Sequence, residues 1–114
     1  MTKRLQRVNQ LIKKELSQII LREIEFPAGV LVTITRVESA SNLIQAKVFI
    51  SVIPEEKILE VLQILNYQIY ELQQKINKRL KMRPVPRLKF LGEKKTNEAG
   101  RIEAILEGLK KEEK

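Results

Sequence analysis

The sequence predicts a single α+β domain in which one face of a small sheet packs on helices. Apolar residues recur at three- and four-residue steps over 4–24 and again over 58–80. Between these segments, 30–37 and 43–53 are β-branched or alternate at period two. A short alternating segment then follows the Pro84-Val85-Pro86 step. The length of 114 residues suits one domain, 1–114, with a core of its own.

Helix one is read from Leu5, Val8, Leu11, Ile12, Leu16, Ile19, Ile20 and Ile24, with Lys13, Lys14, Gln18 and Arg22 between them. It ends at Phe26-Pro27-Ala28-Gly29, because a residue before proline is pushed out of helical geometry. Val30 to Val37 is the first strand. Leu43 to Ile53 is the second, with Ala46, Val48, Ile50 and Val52 on one face. The short linker Ser39-Ala40-Ser41-Asn42 makes a hairpin the economical connection.

Pro54-Glu55-Glu56 opens the long helical region, with the proline in its first turn and acids at the positive end of the dipole. Its stripe is Ile58, Leu62, Leu65, Ile69, Leu72, Ile76 and Leu80. Arg87 to Leu91 is a short strand, placed near an edge because Pro86 has no N–H to donate to a ladder. Asn97 could cap a C-terminal helix carrying Ile102, Ile105, Leu106 and Leu109, and residues 110–114 form a frayed tail.

The chain has no His, Cys, Asp or Trp. Zinc sites and the usual nucleophilic triads therefore lack raw material, and the four glycines are too scattered for a phosphate loop. No enzyme activity, cofactor or metal is expected. Apolar runs are too short for a membrane span, and the charged N-terminus does not read as a secretory signal. A cytoplasmic protein is expected, and no long exposed apolar run calls for an obligate dimer, so a monomer is expected.

The net charge of +8 is concentrated. Between Lys75 and Arg101 stand Lys75, Lys78, Arg79, Lys81, Arg83, Arg87, Lys89, Lys94, Lys95 and Arg101, against only Glu93 and Glu98. Such a cluster makes a local field that attracts polyanions, and these ten residues are the candidate RNA-binding set. Arg4 and Arg7 read equally as a polar helix face or as a groove edge. Lys47 reads equally as a contact or as a side chain snorkelling over the sheet. Tyr67 and Tyr70 are expected to pack beside the helical stripe, and Phe49 and Phe90 to lie in the core. With five aromatic residues in all, recognition should rest on phosphates and RNA shape.

The ordered elements resemble the ribosome-binding factor A family. The likeness is carried by Arg7-Val8 running on to Glu15-Leu16 and Glu23-Ile24, and by Val32-Thr33-Ile34-Thr35 with Val37 behind it. It continues in Leu43 to Ser51 with Ala46-Lys47-Val48, in Lys81-Met82-Arg83 with Val85-Pro86-Arg87-Leu88-Lys89-Phe90, and in Arg101-Ile102. The resemblance implies a type II KH-like fold, α-β-β-α-α-β, with a three-stranded mixed sheet packed on helices. It also implies binding to small-subunit rRNA and a non-catalytic role in late 30S maturation, including processing of the 5′ end of 16S rRNA.

Many KH domains clamp nucleotides with a Gly-x-x-Gly loop, which this chain cannot build because it has no glycine between Gly29 and Gly92. The family has an Ala-x-Gly kink between its central helices instead, and Gln68-Ile69-Tyr70 aligns with it. None of the three favours a break, so one long helix and a bend imposed by packing both remain open. From charge alone, the competing reading is a module whose basic face meets an acidic protein.

Overall fold

The computed structural model describes residues 3–93. The elements run α1 (Lys3–Glu23), β1 (Leu31–Ser39), β2 (Gln45–Ile53), a 3-10 turn (Glu55–Lys57), α2 (Ile58–Tyr67), α3 (Ile69–Arg79) and β3 (Arg87–Gly92). The C-terminal helix read from Asn97 onward lies outside the described residues. Pro54 stands just before the 3-10 turn in extended backbone, at φ −72° and ψ 149°, rather than within the first helical turn.

The sheet is mixed, in the order β1-β2-β3, with β1 antiparallel and β3 parallel to the central β2. Ala46, Val48, Ile50 and Val52 all point to one face and are buried there, as their period of two requires. They meet Ile12, Leu16 and Ile19 of α1, Val61 and Leu65 of α2, and Leu72 and Ile76 of α3 in one core. Burying each of these larger side chains stabilises the fold by about 1.5–3 kcal/mol. Every helix packs on this face, so among the described residues the other sheet face is open.

The β1–β2 register carries a bulge. Ile34 pairs with Ile50 and Val37 with Val48, so three steps on β1 match two on β2. Thr35 is the extra residue, and its hydroxyl donates to the Phe49 carbonyl at 3.2 Å. The bulge lets Ile34 and Val37 both face the core despite their odd spacing. It also turns Arg36 onto the open face opposite Phe49.

The central helical region is broken. Gln68, at φ −104° and ψ 12°, separates α2 from α3 without a glycine or proline. Its N–H still reaches the Ile64 and Leu65 carbonyls at 3.3 and 3.2 Å, and its own carbonyl accepts from Leu72 N–H at 3.0 Å. The break coincides with a change of packing partner: α2 lies against β3, and α3 runs beside α1.

β3 is an edge strand, and the outer backbone groups at its start are met by one side chain. Gln73 Nε2 donates to the Pro86 carbonyl at 3.1 Å, and Gln73 Oε1 accepts from Leu88 N–H at 2.9 Å. The amide thus takes the place of a further strand, and Gln73 Nε2 also reaches Asn77 Oδ1 at 3.1 Å.

Candidate nucleic-acid interface

The fold divides the basic residues into groups with different surroundings. On α3, Leu72 and Ile76 are buried, which turns Lys78 outward to solvent. Lys75 and Arg79 instead face α1. Lys75 pairs with Glu23, and Arg79 Nη1 lies 3.1 Å from Glu15 Oε1 and 3.3 Å from Gln18 Oε1. These two cations therefore have protein partners, and as candidate contacts they are partly engaged. Lys81 and Arg83 are exposed on the connection between α3 and β3.

The second group lies on the open sheet face. Leu88 and Phe90 point into the core, so Arg87 and Lys89 point the other way. The parallel register sets Lys47 beside Lys89 and Gln45 beside Arg87. Arg87, Lys89 and Lys47 are all exposed, and none of them forms an ion pair among the described residues. The exposed basic residues thus fall on the outward side of α3, on the connection that follows it, and on the open sheet face. Arg87 and Lys89 share the sheet face with Lys47, on the opposite side of the core from Lys78.

Arg36 reaches from the edge strand β1 across the open face. Its guanidinium carbon lies 3.8 Å from the Phe49 ring centroid, a cation–π stack. Arg36 Nε donates to Glu93 at 2.9 and 3.2 Å, and the guanidinium also pairs with Glu38. Among the described residues, Glu38 and Glu93 are thereby drawn to one arginine. Sequence reasoning did not single out Arg36. The odd spacing of Ile34 and Val37 was the signal that a bulge would bring it here.

Two aromatic expectations need correction. Phe90 is core, but Phe49 is half-buried on the open face beneath Arg36, where the strand's period of two places it. Tyr67 and Tyr70 do not pack: they are 90% and 73% exposed on either side of the helix break. Arg4 and Arg7 are exposed on the N-terminal half of α1, where Arg7 joins Lys3, Gln10, Leu11 and Lys14 around a shallow hollow. Lys94, Lys95 and Arg101 lie outside the described residues.

Among the described residues no group of three or more carboxylate, imidazole or thiol side chains could hold a metal ion. No described helix is long and apolar enough to cross a membrane.

An α-β-β-α-α-β chain with a mixed three-stranded sheet, helices on one face and a broken helix where a Gly-x-x-Gly loop would stand is an α+β domain of the KH-like class. The ribosome-binding factor A family model matches residues 4–106, and the chain belongs to that family. Ribosome-binding factor A of Thermodesulfovibrio yellowstonii is 38% identical over 109 residues, covering 96% of this chain and 92% of that protein. The Bdellovibrio bacteriovorus protein is 34% identical over 113 residues, covering 98% and 84%.

Among solved structures, the crystal structure of ribosome-binding factor A from Thermus thermophilus superposes with a TM-score of 0.68 at 25% identity. The match covers 77% of this chain and 93% of that one. A Thermus thermophilus homology model fitted into a cryo-electron-microscopy map of a complex with the 30S subunit matches at TM-score 0.62 and 26% identity, covering 73% and 88%.

Proposed function

We propose that this protein binds the small ribosomal subunit through its rRNA and assists late 30S maturation, including processing of the 5′ end of 16S rRNA, in the cytoplasm and without catalysis of its own. The observation that carries this reading is family membership across nearly the whole chain, joined to a relative fitted into a 30S complex. The cationic residues supply the chemistry. Lys78, Lys81, Arg83, Arg87 and Lys89 are exposed and available to phosphates, and Lys47 lies beside Lys89 on the sheet. Lys94, Lys95 and Arg101 belong to the same proposed set.

In this mechanism electrostatic capture brings the domain to folded rRNA, and its rigid α+β surface then holds one rRNA conformation until a later step releases the factor. Affinity should fall steeply with salt, with a log–log slope set by the number of phosphates neutralised.

The test is cosedimentation with purified 30S subunits. Changing Lys78, Lys81 and Arg83 to Glu should strip the protein from the particles while its melting temperature stays within a few degrees. Arg79 is left out of the variant because its reversal would set a second acid against Glu15. Undiminished cosedimentation rejects the assignment of these residues. Retention on heavy complexes after nuclease treatment of a lysate points to an acidic protein as the partner instead. The maturation role is read separately, from accumulation of 16S precursors with unprocessed 5′ ends in cells depleted of the protein.

A further inference from the structure

We infer that the open sheet face is a second RNA-binding surface, separate from that of α3 and the 80–86 connection, on which Lys47, Arg87 and Lys89 take the phosphate backbone of another rRNA segment. The inference rests on the rRNA reading above and deepens it.

Three observations carry it. Lys47 and Lys89 are register partners on neighbouring strands, and Arg87 stands two residues from Lys89, about 6.6 Å along the strand. Like charges side by side on a sheet repel, so this arrangement is unfavourable in the free protein and is relieved by an anion. Protection of an edge strand explains charge on β3, but it does not call for a third cation on the central strand. Next, among the described residues the acids nearest the triplet are engaged elsewhere: Glu38 opposes Lys47 in register, yet it and Glu93 both pair with Arg36, which is itself stacked on Phe49.

The last observation is geometric. The described helices pack on the other face of the sheet, so the triplet and the outward Lys78 face away from each other across the core, each presented to its own RNA segment. The domain therefore ties two rRNA segments together, one on each side of its core. A positively charged face that is open among the described residues fits phosphates better than an apolar peptide, and RNA is accordingly the occupant assigned here.

The experiment measures binding to in-vitro-transcribed 16S rRNA across a salt series. The sheet variant is Lys47→Gln with Arg87→Gln and Lys89→Gln; the helix-side variant is Lys78→Gln with Lys81→Gln and Arg83→Gln. Each phosphate contact contributes about 0.7–0.9 to the log–log slope, so each triple variant should lower the slope by about two to three, independently of the other. An unchanged slope in the sheet variant, with a reduced slope in the helix-side variant, overturns the second surface and leaves the rRNA reading standing. Unchanged slopes in both overturn the rRNA assignment and this inference with it.

A second measurement uses the wild-type protein and does not depend on how the variants fold. Lys47 and Lys89 should be protected from amine acylation when 16S rRNA is added, as read by mass spectrometry. Equal labelling with and without rRNA overturns the proposal.

Discussion

Gln73 is the side chain on which the placement of β3 turns. Its amide spans the outer edge of the strand, donating to Pro86 O at 3.1 Å and accepting from Leu88 N at 2.9 Å, and so fixes the backbone on either side of Arg87. Gln73→Met keeps the length and apolar stem and removes both bonds. Each such bond is worth about 0.5–1.5 kcal/mol net, so the pair contributes about 1–3 kcal/mol. For a domain of this size about 4 °C of melting temperature corresponds to 1 kcal/mol, so the midpoint should fall by about 4–12 °C. Hydrogen exchange gives the local readout: the Leu88 amide should exchange about 5- to 150-fold faster, while amides in β2 change only with global stability.

Gln73→Glu sharpens the test. The carboxylate can still accept from Leu88 N–H but sets an oxygen against the Pro86 carbonyl. Its folded pKa should therefore rise above the ordinary value of about 4.3. A raised folded pKa means that stability is regained as pH falls through it and lost as pH rises. Wild-type exchange at Leu88 in the Met variant, or a Glu variant with no recovery in acid, would refute the reasoning.

Three further outcomes follow from the backbone and the core. Gly29 holds φ +81° in the turn closed by Val30 N–H to Pro27 O at 3.1 Å, and a Cβ there meets nothing within 4 Å. Gly29→Ala should therefore lose only the left-handed backbone preference, about 1–2 kcal/mol by thermal or urea unfolding. A Cβ on Gly92 would lie 2.5 Å from Ile58 Cδ1. Gly92→Ala should destabilise by about 1–3 kcal/mol, and adding Ile58→Val, which deletes that methyl, should recover part of the loss in a double-mutant cycle. Asn9 is buried on α1 and its Oδ1 accepts from Ser39 N–H at 2.8 Å, fastening the helix to the end of β1. Asn9→Ala should cost about 1–3 kcal/mol by unfolding and speed exchange at Ser39, whereas a surface change such as Gln10→Ala should do neither.

Much of the fold is legible in the sequence because it rests on local periodicity. The stripe from Val8 to Ile20, the alternation from Ala46 to Val52, and Pro86 at the head of an edge strand all appear where the pattern places them. What was not legible depends on register and on how helices rotate against each other. Arg36 reaches the open face because Thr35 is an extra residue in the ladder; the odd spacing of Ile34 and Val37 hints at a bulge, but its position is set by the pairing of these residues with Ile50 and Val48. The break at Gln68 has no residue signature, because the apolar stripe passes through it uninterrupted from Leu65 to Leu72. Phe49 shows the opposite error. Its position in the alternation already placed it outside the core, and its aromatic character obscured that.

The same distinction decides which charges can act on a partner. Lys75 and Arg79 are four residues apart on α3, and Glu15 and Glu23 are eight apart on α1, so antiparallel helices bring each cation to an acid. Each of these partly exposed pairs stabilises the fold by only about 0.2–1 kcal/mol, and salt weakens both. Their larger consequence is to lower the field on the α1–α3 flank of the helical layer. The sheet face works the other way: Arg36 gathers Glu38 and Glu93, and Lys47, Arg87 and Lys89 form no ion pair among the described residues. A charge count along the chain treats Arg79 and Lys89 alike. The packing separates them, assigning the first to holding two helices together and leaving the second facing solvent, with phosphate as the partner that would offset its repulsion.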